Sequence, residues 1–238
     1  MRKNIKVGCC GFCLMREKYF EKFNLVELQN TFYQPPQKFS SAEKLRRLAP
    51  QHFEFTLKAW QIITHPANLP TYRRLKENIG RRENYGFFKG SKEVFSAWER
   101  IFKIAKILKV KVVVFQTPPS FKENKENIDN LYKFFTKIER DNLKFVWEER
   151  ANFSYLTLKK IYKDLHLIIG IDPFKKKPLD CEFYYFRLHG KGSYNYKYTL
   201  KELKELKAIL DRPSYILFNN IYMKESALKF KKLLNKDA

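Results

Sequence analysis

Residues 92–116 read KEVFSAWERIFKIAKILKVKVVVFQ, and they contain both of the local structures that decide the fold. In Lys92–Leu108, apolar residues recur at spacings of three and four, which is typical of an amphipathic helix. Val110–Phe115 follows as a short, valine-rich run, which is typical of a buried strand. The stretch therefore predicts a helix that leads directly into a strand.

The same alternation recurs along the whole chain. The predicted strands are Ile5–Cys10, Leu25–Leu28, Phe53–Ala59, Val110–Phe115, Leu143–Trp147, Leu167–Ile171, Phe183–Leu188 and Tyr215–Phe218. The predicted helices are Met15–Phe23, Ser41–Leu48, Lys92–Leu108, Ile128–Ile138, Leu156–Lys163, Leu200–Leu210 and Ser226–Leu234. Two of the helix starts have the spacing of a capping box, Ser40 with Glu43 and Thr199 with Glu202.

This order of elements predicts the fold class. Eight strands that alternate with helices favour a TIM-type (β/α)8 barrel. An open doubly wound sheet usually has fewer strands and a glycine-rich first turn, and the sequence contains no such turn. We predict a single domain over residues 1–238.

The connection between the third and fourth predicted strands is enlarged. It spans about 50 residues, more than a helix and two short loops need, and the extra length includes Tyr72–Ser91. In a barrel, a segment that follows a strand leaves from the C-terminal face, on which active sites are built. The insertion is therefore a candidate lid.

The composition is strongly basic and rich in apolar residues. The 238 residues include 48 Lys and Arg against 25 Asp and Glu, which gives a net charge of +23, and 44% of them are hydrophobic. So much apolar surface excludes a disordered chain, and no apolar stretch is long enough for a transmembrane helix. Because the start of the chain also lacks the apolar segment of a secretory signal, we expect a cytoplasmic protein.

The cysteines are too few for a disulfide scaffold in a chain of this length. They are Cys9, Cys10, Cys13 and Cys181. We expect reduced thiols, with the first three packed at the end of the first strand. A zinc or redox site at Cys10-x-x-Cys13 is the weaker alternative, because no second pair of Cys or His with matching spacing is present.

Polar side chains stand at or just after the end of nearly every predicted strand, where a barrel places its active site. Side chains two residues apart share one face of a strand, so Glu148 and Arg150 can cooperate, as can Arg187 and His189. We expect these polar residues and one glycine to form a ligand site. They are Glu27, Lys58, Gln116, Glu148, Arg150, Asp172, Arg187, His189, Gly190, Asn219 and Asn220.

Several of these residues lie in segments that resemble a known family, the YecE-like proteins, also called the domain of unknown function 72. The matching segments run in family order over almost the whole chain. They are residues 7–12 (VGCCGF), 27–33 (ELQNTFY), 58–65 (KAWQIITH), 115–121 (FQTPPSF), 147–150 (WEER), 187–190 (RLHG) and 218–220 (FNN). The resemblance implies a TIM-type barrel and implies no settled activity.

The polar set predicts an anion site. Lys58, Arg150 and Arg187 supply hydrogen-bond donors for phosphate or carboxylate, and the glycines after His189 would let backbone N–H groups approach such a ligand. Glu27, Gln116, Asn219 and Asn220 complete the predicted binding residues. The alternative is that the Arg and Glu side chains pair with one another as a structural network.

Three residues are the predicted catalytic groups, namely Glu148, His189 and Asp172. Glu148 and His189 are the candidates for proton transfer. A divalent metal held by all three is the weaker alternative, because none of the usual metal-binding spacings is present. We therefore predict no metal site, and the sequence leaves the cofactor and the oligomeric state undetermined.

We predict an enzyme, a hydrolase or lyase, that acts on a phosphorylated or otherwise anionic substrate, with a nucleic-acid phosphodiester as one such substrate. The alternative is a non-catalytic protein that binds nucleic acid through its basic surface. The densest positive charge lies in the insertion, at Arg73, Arg74, Lys76, Arg81 and Arg82. Tyr194, Tyr196 and Tyr198 would share one side of an extended loop and could stack on bases, although packing within the loop is the favoured interpretation.

Overall fold

Eight parallel strands alternate with helices, and the strand order β1 to β8 closes into a barrel, as the computed structural model shows for residues 4–235. The strands are β1 Ile5–Cys10, β2 Leu25–Leu28, β3 Glu54–Lys58, β4 Val112–Gln116, β5 Lys144–Glu148, β6 Ile168–Ile171, β7 Tyr184–Leu188 and β8 Ser214–Phe218. The prediction of a TIM-type (β/α)8 barrel is confirmed.

The helices lie between the strands and after the last one. They are α1 Arg16–Lys22, α2 Asn30–Tyr33, α3 Ser40–Leu48, α4 Gln61–Thr64, α5 Lys92–Leu108, α6 Lys125–Lys137, α7 Tyr155–Asp164, α8 Leu200–Ala208 and α9 Met223–Asn235. Two short 3-10 helices, Pro70–Arg74 and Arg82–Asn84, lie in the insertion. Among the described helices, none combines the length and the apolar character that crossing a bilayer requires.

Local hydrogen bonds explain where two helix boundaries fall. The capping box predicted for Thr199 and Glu202 is present at the start of α8. Ser40 is instead the first residue of α3, so it does not cap that helix as its spacing suggests. At the end of α5, Lys109 adopts a left-handed conformation and Val110 donates its N–H to Ala105 O, which is why β4 begins at Val112 rather than at Val110.

The contacts divide the chain into two compact units. Unit 1 comprises the described residues of Met1–Glu27, Ala49–Glu54 and Ile168–Ala238, and unit 2 comprises Leu28–Leu48 and Phe55–Leu167. The single domain proposed for residues 1–238 stays a prediction.

Unit 1 is organised by the pairing of β1 with its neighbours. Gly8 is the register partner of Leu25 on β2 and of Leu217 on β8. The buried Tyr19 hydroxyl accepts a hydrogen bond from Cys9 N–H and donates one to Leu25 O, both at 2.9 Å, and so joins α1 to both strands.

Unit 2 is built around aromatic side chains. Trp98 of α5 contacts Phe145 of β5 with ring centroids 5.2 Å apart, and Phe115 of β4 contacts the same ring at 5.3 Å. Phe88 from the insertion joins this core, 5.2 Å from Phe134 of α6. Such contacts combine a large buried apolar area with favourable ring geometry.

The insertion is packed onto its own unit. Gly86 donates its N–H to Ile62 O at 2.8 Å, and Phe88 donates to Ile63 O at 2.9 Å. These two bonds tie the end of the insertion to α4. The end of the insertion is therefore packed against α4, and its role as a lid stays a prediction.

The β1–β2 pairing provides a direct test of the packing. A Cβ atom added at Gly8 would lie 2.2 Å from the carbonyl oxygen of Leu25, which the backbone cannot relieve without moving a strand. We expect Gly8→Ala to lower the free energy of unfolding by about 1–3 kcal/mol. Gly90→Ala is the matched control, because nothing lies within 4 Å of its added Cβ. Urea unfolding of both variants measures the difference, and equal midpoints would contradict this packing.

Candidate functional site

A group of polar side chains lies at the ends of β3, β4 and β5 in unit 2. Lys58 Nζ donates to Gln116 Oε1 at 2.7 Å and lies 3.7 Å from the centroid of the Phe32 ring. Gln116 and Glu148 are register partners on β4 and β5, so their side chains leave the sheet on the same face. Four predicted site residues therefore lie close together, namely Lys58, Gln116, Glu148 and Arg150. We call these four residues and His65 the β3–β5 cluster.

Arg150 is the most accessible member of this cluster. Its Nε and Nη2 atoms donate to Glu148 Oε1 at 3.0 and 2.9 Å. The Glu148 side chain is only 6% exposed, whereas that of Arg150 is 35% exposed. The guanidinium therefore connects a buried carboxylate to solvent, and an approaching ligand would meet it first.

His65 belongs to the cluster and was not among the predicted site residues. Its Nδ1 lies 2.8 Å from the Thr64 hydroxyl oxygen, and its ring packs edge-on against Phe32 at 4.8 Å. Burial, together with the positive charges of Lys58 and Arg150, lowers the pKa of His65 to about 3. The imidazole is therefore neutral at physiological pH.

The backbone of His65 is held by the insertion. Tyr72 donates its hydroxyl proton to His65 O at 2.7 Å. Gly86 has a φ of +81° and packs so closely that a Cβ there would lie 2.4 Å from His65 C. Phe87 and Phe88 both have a φ of +54°, a left-handed conformation that is strained for aromatic residues. The chain thus accepts backbone strain next to His65.

In unit 1, Arg187 and Glu27 form a closed ion pair. Arg187 donates from Nε to Glu27 Oε2 at 3.0 Å and from Nη2 to Oε1 at 2.7 Å, and Tyr185 donates its hydroxyl to Oε2 at 2.8 Å. Both charged side chains are fully buried. This arrangement matches the structural network that the sequence left open as an alternative, and the ligand-binding role of the two residues stays a prediction.

A second group in unit 1 surrounds His189. Asn219 Nδ2 lies 3.1 Å from His189 Nδ1, and the Tyr194 hydroxyl lies 3.4 Å from the same atom. Asp172 accepts the N–H of His189 at 3.0 Å and that of Phe174 at 3.1 Å. Burial raises the pKa of the Asp172 carboxyl, although these two N–H groups act in the opposite direction. Asp172 thus holds the backbone that carries His189, and the catalytic roles of both residues stay predictions.

The loop after β7 is arranged differently from what the sequence suggested. Gly190 donates its N–H to the Tyr198 hydroxyl at 2.8 Å, so this amide already has a partner within the loop. Asn220 donates from Nδ2 to Tyr196 O at 2.6 Å. Tyr194 is 54% exposed while Tyr198 is only 2% exposed, so at Tyr198 the structure has the loop packing that the sequence analysis favoured over stacking on bases. Gly190 and Gly192, which precede the tyrosines, both have positive φ.

Within residues 4–235, no three side chains of His, Cys, Asp or Glu are grouped so that they could hold a metal ion.

The family model described as protein of unknown function DUF72 matches residues 15–238. The chain belongs to the DUF72 family. A crystal structure of a DUF72 family protein from Enterococcus faecalis V583 has 21% sequence identity, covers 98% of both chains and superposes with a TM-score of 0.74. No curated protein matches the chain.

Other solved structures with a similar barrel carry different names. Endonuclease IV from Thermus thermophilus has 11% identity, covers 99% of this chain and 100% of its own, and has a TM-score of 0.54. AP endonuclease, family 2, from Brucella melitensis has 10% identity, covers 92% and 93%, and has a TM-score of 0.53. At these identities the likeness shows a shared fold alone.

The buried imidazole predicts how stability depends on pH. The pKa of His65 in the folded chain, about 3, lies below the ordinary value of 6.5, so between these values the unfolded chain binds a proton that the folded chain does not. Stability therefore falls as the pH drops through this window, by up to about 1.4 kcal/mol per pH unit from this group. We expect His65→Gln to flatten the decline of the unfolding free energy between pH 6.5 and 4. Exposed His52→Gln is the control, and equal slopes for the two variants would contradict burial of a neutral His65.

Gly86 offers a test of how His65 is held. We expect Gly86→Ala to displace the His65 backbone and to shift the imidazole resonances of His65 in nitrogen-correlated NMR spectra. Gly192→Ala is the matched control, because Gly192 has the same φ of +81° but nothing within 4 Å of its added Cβ. The control therefore carries the strain of a left-handed alanine without the collision. An unchanged His65 signal in a folded Gly86→Ala protein would show that this contact does not position the ring.

Proposed function

We propose that the chain is an enzyme, a hydrolase or lyase, that acts on a phosphate-containing substrate bound at the β3–β5 cluster, and that the substrate class is a nucleic-acid phosphodiester. One observation carries this proposal. Lys58 and Arg150 both lie close enough to the buried His65 to disfavour its charged form. Lys58 and Arg150 thus place two cationic groups beside a neutral imidazole, and a bound anion would interact favourably with both.

The donor geometry suits a phosphoryl group. A guanidinium can bind two phosphate oxygens with parallel hydrogen bonds, and an ammonium adds a compact charge. Lys58 is only 6% exposed, so its attraction for an anion is weakly screened. Arg150, at the accessible edge, supplies the first contact and Lys58 the deeper one.

Glu148 and His65 supply the groups for proton transfer in this proposal. In a hydrolysis, Glu148 takes the proton of the attacking water, while Lys58 and Arg150 stabilise the negative charge on the phosphoryl oxygens. In the tautomer in which the Thr64 hydroxyl donates to Nδ1, Nε2 of His65 carries the proton and donates a hydrogen bond to the substrate. A neutral imidazole in this role adds a donor without adding a charge.

Nucleic acid is the proposed substrate class for two reasons. The net charge of +23 favours polyanions through the release of counterions. The barrel is also shared with proteins named endonucleases, which makes phosphodiester chemistry the first reaction to test.

A non-catalytic nucleic-acid-binding protein remains the second candidate, because five cationic side chains of the insertion are exposed. They are Arg73, Arg74, Lys76, Arg81 and Arg82. Under this alternative the exposed insertion binds the polyanion and the β3–β5 cluster has only a structural role.

The two candidate functions predict different effects of replacing Arg150 on turnover. With a DNA duplex that contains one abasic site, or with bis(p-nitrophenyl) phosphate, we expect Arg150→Met to raise KM about 10- to 150-fold, the effect of losing a charged hydrogen bond of about 1.5–3 kcal/mol. Arg47→Met is the control, since it removes the same charge from a side chain that is 73% exposed. Glu148→Gln should lower kcat by about 100-fold or more and leave DNA affinity nearly unchanged.

The same measurements also test the alternative, a protein that binds nucleic acid without catalysis. If no variant changes turnover on either substrate, while replacement of Arg73, Arg74, Arg81 and Arg82 by Ala lowers DNA affinity and its salt dependence, the protein binds nucleic acid without acting on it. Equal effects of Arg150→Met and Arg47→Met would likewise contradict a substrate site at the β3–β5 cluster.

A further inference from the structure

Two cysteines meet where β1 ends, in unit 1. The Sγ atoms of Cys9 and Cys13 lie 3.7 Å apart, in hydrogen-bond contact. Cys9 is fully buried, whereas Cys13 is partly exposed, and neither is in a disulfide. The Cys10-x-x-Cys13 spacing suggested a different pair, but Cys10 turns to the other face of β1, with its Sγ 3.8 Å from Arg187 Nη2.

The surroundings divide the roles of the two sulfur atoms. The hydrogen bond with Cys9 lowers the pKa of the Cys13 thiol, and the charge of Lys224 acts in the same direction. The same hydrogen bond, together with burial, raises the pKa of Cys9. Cys13 is therefore the more acidic thiol of the pair and is also the one that a solute can reach, whereas Cys9 is the less acidic and buried one.

We propose that Cys13 is a peroxide-reactive thiol and that Cys9 is its resolving partner, so that a hydroperoxide converts the pair into a Cys9–Cys13 disulfide. In the first step, the Cys13 thiolate attacks the terminal oxygen of the peroxide, the O–O bond breaks, and Cys13 becomes a sulfenic acid as hydroxide or alkoxide leaves. In the second step, Cys9 attacks the Cys13 sulfur and the sulfenic oxygen leaves as water, which takes up the Cys9 proton. The peroxide is the oxidant for both electrons.

The local backbone allows this closure. A disulfide requires its two sulfur atoms to be about 2.05 Å apart, so they must approach each other by less than 2 Å. Cys9 is held in β1 by its N–H bond to Tyr19, whereas Cys13 lies in the loop before α1, next to Gly11 with a φ of +100°. Cys13 is therefore the side that moves, and the disulfide would lock this loop. The inference does not depend on the proposed function.

The test uses the whole protein and hydrogen peroxide. We expect the number of free thiols to fall from four to two, the mass to fall by that of two hydrogen atoms, and dithiothreitol to reverse both changes. A peptide map without reductant should contain a Cys9–Cys13 link. Cys181 is an internal control, because burial raises the pKa of this thiol to about 11 and it should stay reduced.

Two variants separate the roles of the sulfur atoms. Cys13→Ser should keep its remaining thiols at the peroxide dose that oxidises the unaltered protein. Cys9→Ala should stop at the Cys13 sulfenic acid, which dimedone traps as an adduct. Survival of all four thiols at a dose that oxidises free dithiothreitol, or a link that joins Cys10 or Cys181 instead, would overturn the proposal. If Cys9→Ala does not fold, the peptide map of the unaltered protein decides the matter.

Discussion

The burial of a neutral imidazole beside two cations is the interaction on which the candidate site depends. His65 would be charged in water near pH 6, but here desolvation and the fields of Lys58 and Arg150 keep it neutral. The insertion contacts the backbone of His65 through the Tyr72 hydroxyl and through the close packing of Gly86. The left-handed backbone at Phe87 and Phe88 is unfavourable by itself, and the burial of Phe88 against Phe115 and Phe134 offsets that strain. The aromatic core of unit 2 thus stabilises the geometry of its polar cluster.

Two of the ion pairs at the barrel strands, Arg187–Glu27 and Arg150–Glu148, differ in how deeply they are buried. Arg187 and Glu27 satisfy each other with two hydrogen bonds while both are fully buried. Removing either partner would leave an uncompensated charge in the interior, so we expect the loss of one partner to destabilise the fold strongly. Arg150 donates two hydrogen bonds to Glu148 Oε1, and its side chain is about one third exposed. Arg150 could therefore exchange Glu148 for a ligand at a much lower desolvation cost than the fully buried Arg187 could exchange Glu27.

The sequence predicted the barrel because each strand and helix has its own local pattern, and it placed Lys58, Gln116 and Glu148 correctly at neighbouring strand ends. It did not identify His65, since His65 precedes a proline and reads as loop, and its supports at Tyr72 and Gly86 are tertiary contacts. The pairing of Arg187 with Glu27 likewise joins residues 160 positions apart. The weaker alternative of a Cys10-x-x-Cys13 site also named Cys10, whereas the structure pairs Cys13 with Cys9; spacing could not show this, because the face on which each thiol leaves β1 depends on the closed sheet.

The fold and the chemistry of this chain come from separable sets of residues. Structures at 10–21% identity retain the barrel, which shows that the strand and helix patterns tolerate almost complete exchange of side chains. The barrel fold alone does not determine an activity, because enzymes with unrelated reactions share it. The dispersed positive charge of the surface concentrates polyanions but does not select a bond within them. Selection requires groups at fixed distances. In the site proposed for unit 2 those would be the Lys58 ammonium, the Arg150 guanidinium and the His65 imidazole, held by strand ends and by a strained turn.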